Sequence, residues 1–159
     1  MSALDLRALL GALQAADVDA IVIGGVAVAA HGYVRATADL DVVPASEPAN
    51  LRRLAQALPA LEPTLPTAGG RPFQVAQDGP ALLRGANVTL DTRHGGLDIV
   101  QRVPSVPGYT ALAERAVGTD LLGVPVQVCS LADLRAMKEA RGSTQDRADL
   151  ERLPQADGG

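Results

Sequence analysis

Acidic and apolar residues alternate along Asp39-Leu40-Asp41-Val42, a segment that Pro44 closes. This period of two predicts a β-strand with the apolar side chains in a core. Both carboxylates then project from the opposite face, about 6–7 Å apart along the strand. Two carboxylates on one face repel each other, and a divalent cation between them would offset that repulsion. Mg²⁺ suits the position because it takes carboxylate oxygens and keeps water and phosphate oxygens as its other ligands.

A second segment, GLDIVQ, repeats the pattern with Asp98 between Leu97 and Ile99. If this strand lies beside the strand of the first acidic pair, three carboxylates converge on one face of a sheet. Asp91, seven residues before Asp98, is an alternative third acid. We favour Asp98 because apolar residues flank it within its strand.

Two glycines, Gly24 and Gly25, follow the short β-branched run Ala20–Ile23, which predicts a buried strand, and precede a short predicted helix. A residue without a Cβ lets a ligand approach the backbone closely. The free N–H groups and the dipole at a helix N-terminus favour an anion such as phosphate. Glycine also serves strand-to-helix turns for geometry alone. Because the acidic strand follows, the pair predicts a phosphate cradle beside the metal site.

Helices are predicted near both ends of the chain and in its first half. Leucines at helical spacing indicate one helix in LDLRALLGALQAA and another after the N-cap residue Ser46. Ser130 and Ser143 each precede an aspartate by three residues, which predicts N-caps for two C-terminal helices, LADLRAMKEA and QDRADLERL.

Further strands are predicted at Phe73–Ala76, Asn87–Thr92, GLDIVQ and LLGVPVQVCS, of which the second and third form a hairpin. The Pro-, Thr- and Gly-rich stretch Pro59–Gly70 is predicted to be a loop. This order predicts a small α/β or α+β domain, with a mixed β-sheet flanked by helices. We expect one domain over residues 1–153 and a frayed tail at 154–159.

Composition narrows the class of protein. The chain has 159 residues and a net charge of −4, which fits one domain and argues against coating nucleic-acid backbone through bulk charge. The single cysteine, Cys129, excludes an internal disulfide and a four-cysteine zinc site. We see no targeting pattern, and the longest apolar run, Ala20–Ala30, is shorter than the roughly 20 residues needed to span a bilayer. A cytoplasmic location without membrane contact is expected.

Lys138 is the only lysine among 14 basic residues. It lies on the same predicted helical face as Leu131 and Leu134, which should be buried. An inward lysine needs an anionic partner. Asp146 and Asp149, one turn apart on the last helix, could supply it, and so could the carboxylate cluster.

Together these residues resemble the signature of the nucleotidyltransferase superfamily typified by DNA polymerase β. The variant most like it is a minimal bacterial branch related to the AbiEii-type toxin nucleotidyltransferases. Its first motif, G-G-x-A followed by G-x-x-R-x-T-x-D-hydrophobic-D, is filled here by Gly24, Gly25, Ala27, Gly32, Arg35, Thr37, Asp39 and Asp41. The strand with Asp98 matches the third carboxylate of the family. The C-terminal pattern of the branch is matched by S-L-x-D-L and then Lys138, Arg141, Asp146 and Asp149.

The resemblance implies a nucleotidyltransferase-like fold and transfer of a nucleoside monophosphate from an NTP to a hydroxyl. Asp39 and Asp41 would hold two Mg²⁺ ions, and Asp98 would share one of them and help to activate the acceptor. The implied nucleotide contacts are Gly24, Gly25, Arg35, Thr37 and Lys138. Structural alternatives stay open: Arg35 could brace the strand through Asp41 or a carbonyl, Thr37 could bond local backbone, and Lys138 could pair with the C-terminal aspartates.

The acceptor implied by the resemblance is a tRNA, a protein hydroxyl or a small molecule such as an aminoglycoside. The same branch suggests a toxin–antitoxin or phage-defence role with an antitoxin or toxin partner protein. Two other functions remain open. One is a non-catalytic nucleotide- or partner-binding module on the same fold, since the chain is short and shows no acceptor domain. The other is an obligate subunit of a two-protein complex.

Overall fold

The computed structural model describes residues 2–156, so Met1 and residues 157–159, which include part of the predicted tail, lie outside the described residues. Helices occupy α1 Leu6–Ala15, α2 Gly24–Ala30, α3 Pro48–Ala57, α4 Val75–Leu83, α5 Tyr109–Arg115, α6 Leu131–Arg141 and α7 Thr144–Arg152. Strands occupy β1 Ala20–Ile23, β2 Asp39–Pro44, β3 Thr64–Leu65, β4 Arg71–Pro72, β5 Val88–Thr92, β6 Gly95–Ile99, β7 Val117–Leu121 and β8 Val124–Val128. In this range no helix is long and apolar enough to cross a membrane.

The eight strands form one mixed sheet in the order β4-β3-β5-β6-β2-β1-β8-β7. The β5–β6 and β7–β8 pairs are antiparallel hairpins, and β1 and β2 are also antiparallel. Two central pairs, β2–β6 and β1–β8, are parallel. The predicted mixed sheet flanked by helices and the predicted β5–β6 hairpin are confirmed.

Apolar residues pack on both faces of the sheet, and one layer of the core lies on the face opposite the acidic residues. Leu40 and Val42 of β2 are 0% and 1% exposed, as the alternating pattern predicts. Helices also bury apolar faces: α1 contributes Leu9, Leu10 and Leu13, and α3 contributes Leu51 and Leu54. Burial of apolar surface is favourable by roughly 25 cal/mol per Å². The burial of Leu40 and Val42 therefore determines which face of β2 carries the polar side chains.

The predicted strand Phe73–Ala76 is wrong, because α4 begins at Val75. Gln74 is extended, and its N–H donates to the Asp78 carboxylate over 2.8 Å, which satisfies one of the free amides of the first helical turn. Gly79 and Pro80 lie inside this helix and conceal it in the sequence, since both residues disfavour helix interiors. Phe73 is nevertheless buried, as an apolar residue of a predicted strand would be.

Other differences lie in irregular segments. The predicted loop Pro59–Gly70 contains two 3₁₀ turns and the two-residue strand β3, which extends the sheet beyond β5. Helix α5 and strand β7 were not predicted, because prolines and glycines surround short amphipathic stretches there. Ser130 and Ser143 do cap α6 and α7, and Ser143 forms a reciprocal capping box with Asp146.

Helices α6 and α7 are joined by a charge clasp, which consists of Arg35, Lys138, Arg141, Asp146 and Asp149. Lys138 Nζ lies 3.1 Å from Asp146 Oδ1 and 2.9 Å from Asp149 Oδ2. Arg141 binds Asp146 through two bonds of 2.7 Å, and Arg35 binds Asp149 through bonds of 2.7 and 2.9 Å. Both carboxylates are fully buried. The clasp therefore ties α7 to α6 and to the segment that leads into β2.

Both clasp carboxyls are held in the ionised form. Burial opposes ionisation, but hydrogen bonds from Arg141 and Ser143 outweigh it and hold the pKa of Asp146 well below its ordinary value. Hydrogen bonds from Arg35 and Lys138 likewise lower the pKa of Asp149. A carboxyl with a lowered pKa in the folded state stabilises the protein above its unfolded-state pKa and loses that contribution as the pH falls.

We expect Asp149→Asn to lower the free energy of unfolding at pH 7 by about 3 kcal/mol, because it leaves Arg35 and the buried Lys138 short of a counter-charge. The deficit should shrink progressively as the pH falls below about 5 and through the lowered pKa of Asp149, because the wild-type protein then loses the same contribution. Urea unfolding at several pH values measures both effects. Glu151→Gln, an exposed change on the same helix, is the control. A deficit that is independent of pH, or equal to that of the control, would contradict the role of the clasp.

Candidate active site

Three carboxylates meet on one sheet face because of the register between β2 and β6. In this parallel pair Asp39 lies opposite Gly96, and Asp41 lies opposite Asp98. Residues directly opposite one another on neighbouring strands point to the same face, so Asp41 and Asp98 are side by side. Asp39, two residues earlier on β2, shares that face. The predicted adjacency of the two acidic strands is confirmed, and the metal-binding role of the acids stays a prediction.

The rival acid Asp91 lies farther from the centre of this cluster. It lies on β5 opposite Gly96, so β6 separates it from β2. Asp91 therefore shares the face and adds negative charge near Asp39, but it does not lie beside Asp41. The geometry favours Asp98 as the third member.

Gly24 makes room for Asp41. Its φ is +70°, in the left-handed region that favours glycine. A Cβ built at this position would overlap Asp41 Oδ2, so the carboxylate occupies the space that a side chain would fill. Gly96 serves Asp39 in the same way, because a Cβ there would overlap Asp39 Oδ1. The sequence suggested close approach of a ligand at Gly24, whereas the structure gives the space to a side chain of the chain itself.

Gly25 is covered by the segment that leads into β2. A Cβ at Gly25 would lie 2.8 Å from Thr37 Oγ1 and 3.3 Å from Arg35 Nη1. Thr37 Oγ1 donates to the Asp39 carbonyl over 3.3 Å, and Arg35 Nη1 donates to the Ala36 carbonyl over 3.0 Å. These are the local roles left open for Thr37 and Arg35, except that the carboxylate partner of Arg35 is Asp149 and not Asp41.

Negative charge accumulates around Asp41. Burial, the charge and hydrogen bonding of Asp98, and the charge of Asp39 together raise the pKa of Asp41 to about 7, while the nearby Arg141 acts in the opposite direction. The pKa of Asp39 is also raised, by burial and by the charges of Asp98 and Asp91. The cluster is therefore electrostatically costly when empty and would bind a divalent cation favourably.

A cavity of about 150 Å³ connects the acidic cluster to the charge clasp. Its polar lining includes Gly24, Asp41, Asp98, Lys138 and Arg141. A space of this size can accept ions and phosphate groups. Carboxylates on one wall and clasp cations on the other could therefore hold a metal ion and a phosphate side by side.

Sequence patterns did not identify two features of this cavity. Arg141 lines the cavity, and its positive charge acts on the Asp41 carboxylate. The sequence indicated only that Arg141 matches a family pattern. The irregular segment after β6 supplies Val100, Val103 and Ser105 to its wall. The only available signal for that segment was its position directly after the strand of Asp98.

The donor set fits Mg²⁺, because all three side chains offer hard oxygen ligands. Over residues 2–156 no three His, Cys, Asp or Glu side chains are gathered into a preformed metal cage. Mg²⁺ does not require one, since it commonly binds one or two carboxylates and completes its shell with water and substrate phosphates. Asp41, between Asp39 and Asp98, is the residue best placed to act as a shared ligand.

No protein-family model matches the chain, and no curated protein matches its sequence. Among solved structures it is similar to an antigenic nucleotidyltransferase-like protein from Paracoccidioides brasiliensis, with 16% identity and a TM-score of 0.51. The match covers 92% of this chain and 70% of that one. At this identity the likeness concerns the fold, and it leaves the AbiEii-type branch a prediction. The chain has a nucleotidyltransferase-like fold, with an eight-stranded mixed sheet flanked by helices.

Proposed function

We propose that this protein is a Mg²⁺-dependent nucleotidyltransferase that moves a nucleoside monophosphate from an NTP to a hydroxyl acceptor. The observation that supports the proposal most directly is the side-by-side position of Asp41 and Asp98 on β2 and β6, with Asp39 on the same face. The nucleotidyltransferase-like fold is independent support for this class of enzyme. Asp39, Asp41 and Asp98 are the proposed catalytic and metal-binding residues.

Two Mg²⁺ ions, one of them shared with Asp98, would be held by Asp39 and Asp41 and would offset the charge that develops on the phosphate oxygens. The acceptor oxygen forms a bond to the α-phosphorus of the NTP, and the bond from that phosphorus to the pyrophosphate oxygen breaks. Asp98 takes the proton of the acceptor hydroxyl, and pyrophosphate leaves. This assignment gives Asp41 a binding role and Asp98 a proton-accepting role.

The proposed nucleotide contacts are Gly24, Gly25, Arg35, Thr37 and Lys138. Of these, Gly24 and Lys138 line the cavity that also contains Asp41. Lys138 is already paired with two aspartates, so in this proposal it shares its charge between the clasp and a phosphate. Arg141, with a side chain 59% exposed, is the clasp cation most accessible to an incoming triphosphate.

The family resemblance alone supports the proposals for the acceptor and for the cellular setting. A tRNA, a protein hydroxyl or a small molecule such as an aminoglycoside could receive the nucleotide. A cytoplasmic toxin–antitoxin or defence system, with an antitoxin or toxin as partner protein, is the proposed setting.

One observation favours a second candidate, a nucleotide- or partner-binding module without catalysis. The clasp already engages Arg35, Lys138 and Arg141 with internal carboxylates, which leaves less positive charge to stabilise the leaving pyrophosphate during transfer. This alternative predicts nucleotide binding, or binding of a partner, without release of pyrophosphate.

Transfer should depend on Asp41 and Asp98 and should not depend on Asp91. With labelled NTPs, Mg²⁺ and a panel of tRNA, protein and aminoglycoside acceptors, we expect Asp41→Asn and Asp98→Asn to lower the transfer rate by about 100-fold or more. Asp91→Asn removes an acid from the same face and is the matched control. Loss of transfer in Asp91→Asn with retention in Asp98→Asn would reverse the assignment. Nucleotide binding without transfer by the wild-type protein would support the second candidate.

Asp41→Asn should stabilise the metal-free protein while lowering its transfer rate. At pH 8 in EDTA the variant lacks the repulsion that Asp41 experiences from Asp39 and Asp98, so its Tm should exceed that of the wild type. Adding Mg²⁺ should raise the Tm of the wild type more than that of the variant. Thermal unfolding by circular dichroism measures both effects. A variant less stable than the wild type in EDTA would indicate that Asp41 serves the fold and not a metal.

A further inference from the structure

Strands β7 and β8 form a hairpin that is attached to the sheet at one end only. Strand β8 pairs with β1 through two residues, Ile21 with Gln127 and Val22 with Val128. Pro125, near the start of β8, lacks the N–H that would continue this pairing. The pairing of β8 with β1 therefore does not extend to Pro125, and residues 117–120 of β7 are exposed.

The hairpin offers unused hydrogen-bonding and apolar groups. Within the described residues β7 is the last strand of the sheet, so its outer edge carries free N–H and C=O groups. At the tip, Leu122 adopts a φ of +54°, which side-chain-bearing residues rarely adopt, and it is 62% exposed. Val117, at the other end of β7, is 48% exposed. A strained, exposed leucine at the tip of a projecting hairpin is poorly explained by the fold of the chain alone.

A cleft of about 480 Å³ lies between the hairpin, the C-terminal part of α1 and the start of β1. It is separate from the cavity of Asp41, because the two share no lining residue. Its apolar lining includes Leu10, Leu13 and Val126. The acidic residues Asp17, Asp19 and Asp120 also line it, and no lysine or arginine does.

The charge of the cleft selects among possible occupants. A second copy of this hairpin would bring its own Asp120 and no basic residue against three carboxylates, which is unfavourable. An anionic membrane surface is disfavoured for the same reason. A polypeptide segment with aliphatic and basic side chains satisfies both the apolar lining and the acids, and it can also bond to the free edge of β7.

We propose that the β7–β8 hairpin and the acidic cleft beside it form a docking site for a partner protein. The occupant is an extended segment in which lysine or arginine flanks aliphatic side chains. It adds a strand to the edge of β7, places an aliphatic side chain in the cleft and pairs its cations with the surrounding carboxylates. This site is independent of the proposed transferase activity, because none of its residues lies in the acidic cluster of β2 and β6.

The probe for this site is the synthetic peptide acetyl-Lys-Val-Leu-Val-Lys-amide, with acetyl-Glu-Val-Leu-Val-Glu-amide as its charge-reversed match. Titration is followed by amide chemical shifts of the ¹⁵N-labelled full chain. The lysine peptide should shift amides of β7 and of the cleft, and the glutamate peptide should not. Asp19→Asn combined with Asp120→Asn should weaken binding by about fivefold or more, whereas Glu151→Gln, on the distant helix α7, should leave it unchanged.

Asparagine at position 120 keeps an oxygen that can accept from the Gly123 N–H, so the hairpin turn is preserved in the double variant. Unchanged amide shifts outside the cleft would verify its fold. Equal binding of both peptides, binding insensitive to the double variant, or no shifts at millimolar peptide would overturn the proposal. So would concentration-dependent dimerisation through β7 in analytical ultracentrifugation, which would identify a second copy as the occupant.

Discussion

The candidate site depends on the parallel register between β2 and β6. A shift of one residue would turn Asp98 into the core and bring Leu97 or Ile99 to the polar face, since side chains alternate along a strand. Burial of those apolar residues beneath the helices makes such a shift costly. Gly96 adds a second restraint, because only a residue without a Cβ leaves space for the Asp39 carboxylate. Apolar packing on one face of the sheet therefore sets the positions of the acidic side chains on the other face.

The charge clasp balances the acidic cluster across the same cavity. Three cations of the clasp share two buried carboxylates, so positive charge remains on the side that faces Asp41 and Asp98. Helix α7 adds no side chain to the acidic cluster on the sheet, yet its two aspartates hold Lys138 and Arg141 in position. This explains why the only lysine of the chain lies among the buried residues of α6. Its position reflects pairing within the protein, whatever further contact a ligand makes.

Sequence patterns predicted the parts of the structure that periodicity controls. Alternation identified β2 and β6 and the shared face of Asp39 and Asp41, and helical spacing put Lys138 on a buried face, with Asp146 and Asp149 among its candidate partners. The patterns did not predict α4, because Gly79 and Pro80 mask a helix that tertiary packing stabilises. They also did not reveal that the missing side chain of Gly24 leaves space for Asp41, since nothing local in the sequence indicates that neighbour. In both cases, contacts with residues distant in the sequence determine the structure.

The central claim is that the acidic cluster binds metal together with a nucleotide. A crystal structure with Mn²⁺ and a non-hydrolysable NTP tests it most directly, because the anomalous signal of Mn²⁺ locates the ion independently of the protein. The account predicts an ion held by Asp41 and by Asp39 or Asp98, with phosphate oxygens completing its shell and the phosphates directed toward Lys138 and Arg141. A nucleotide bound elsewhere, or at this cavity with no ion on these carboxylates, would contradict it.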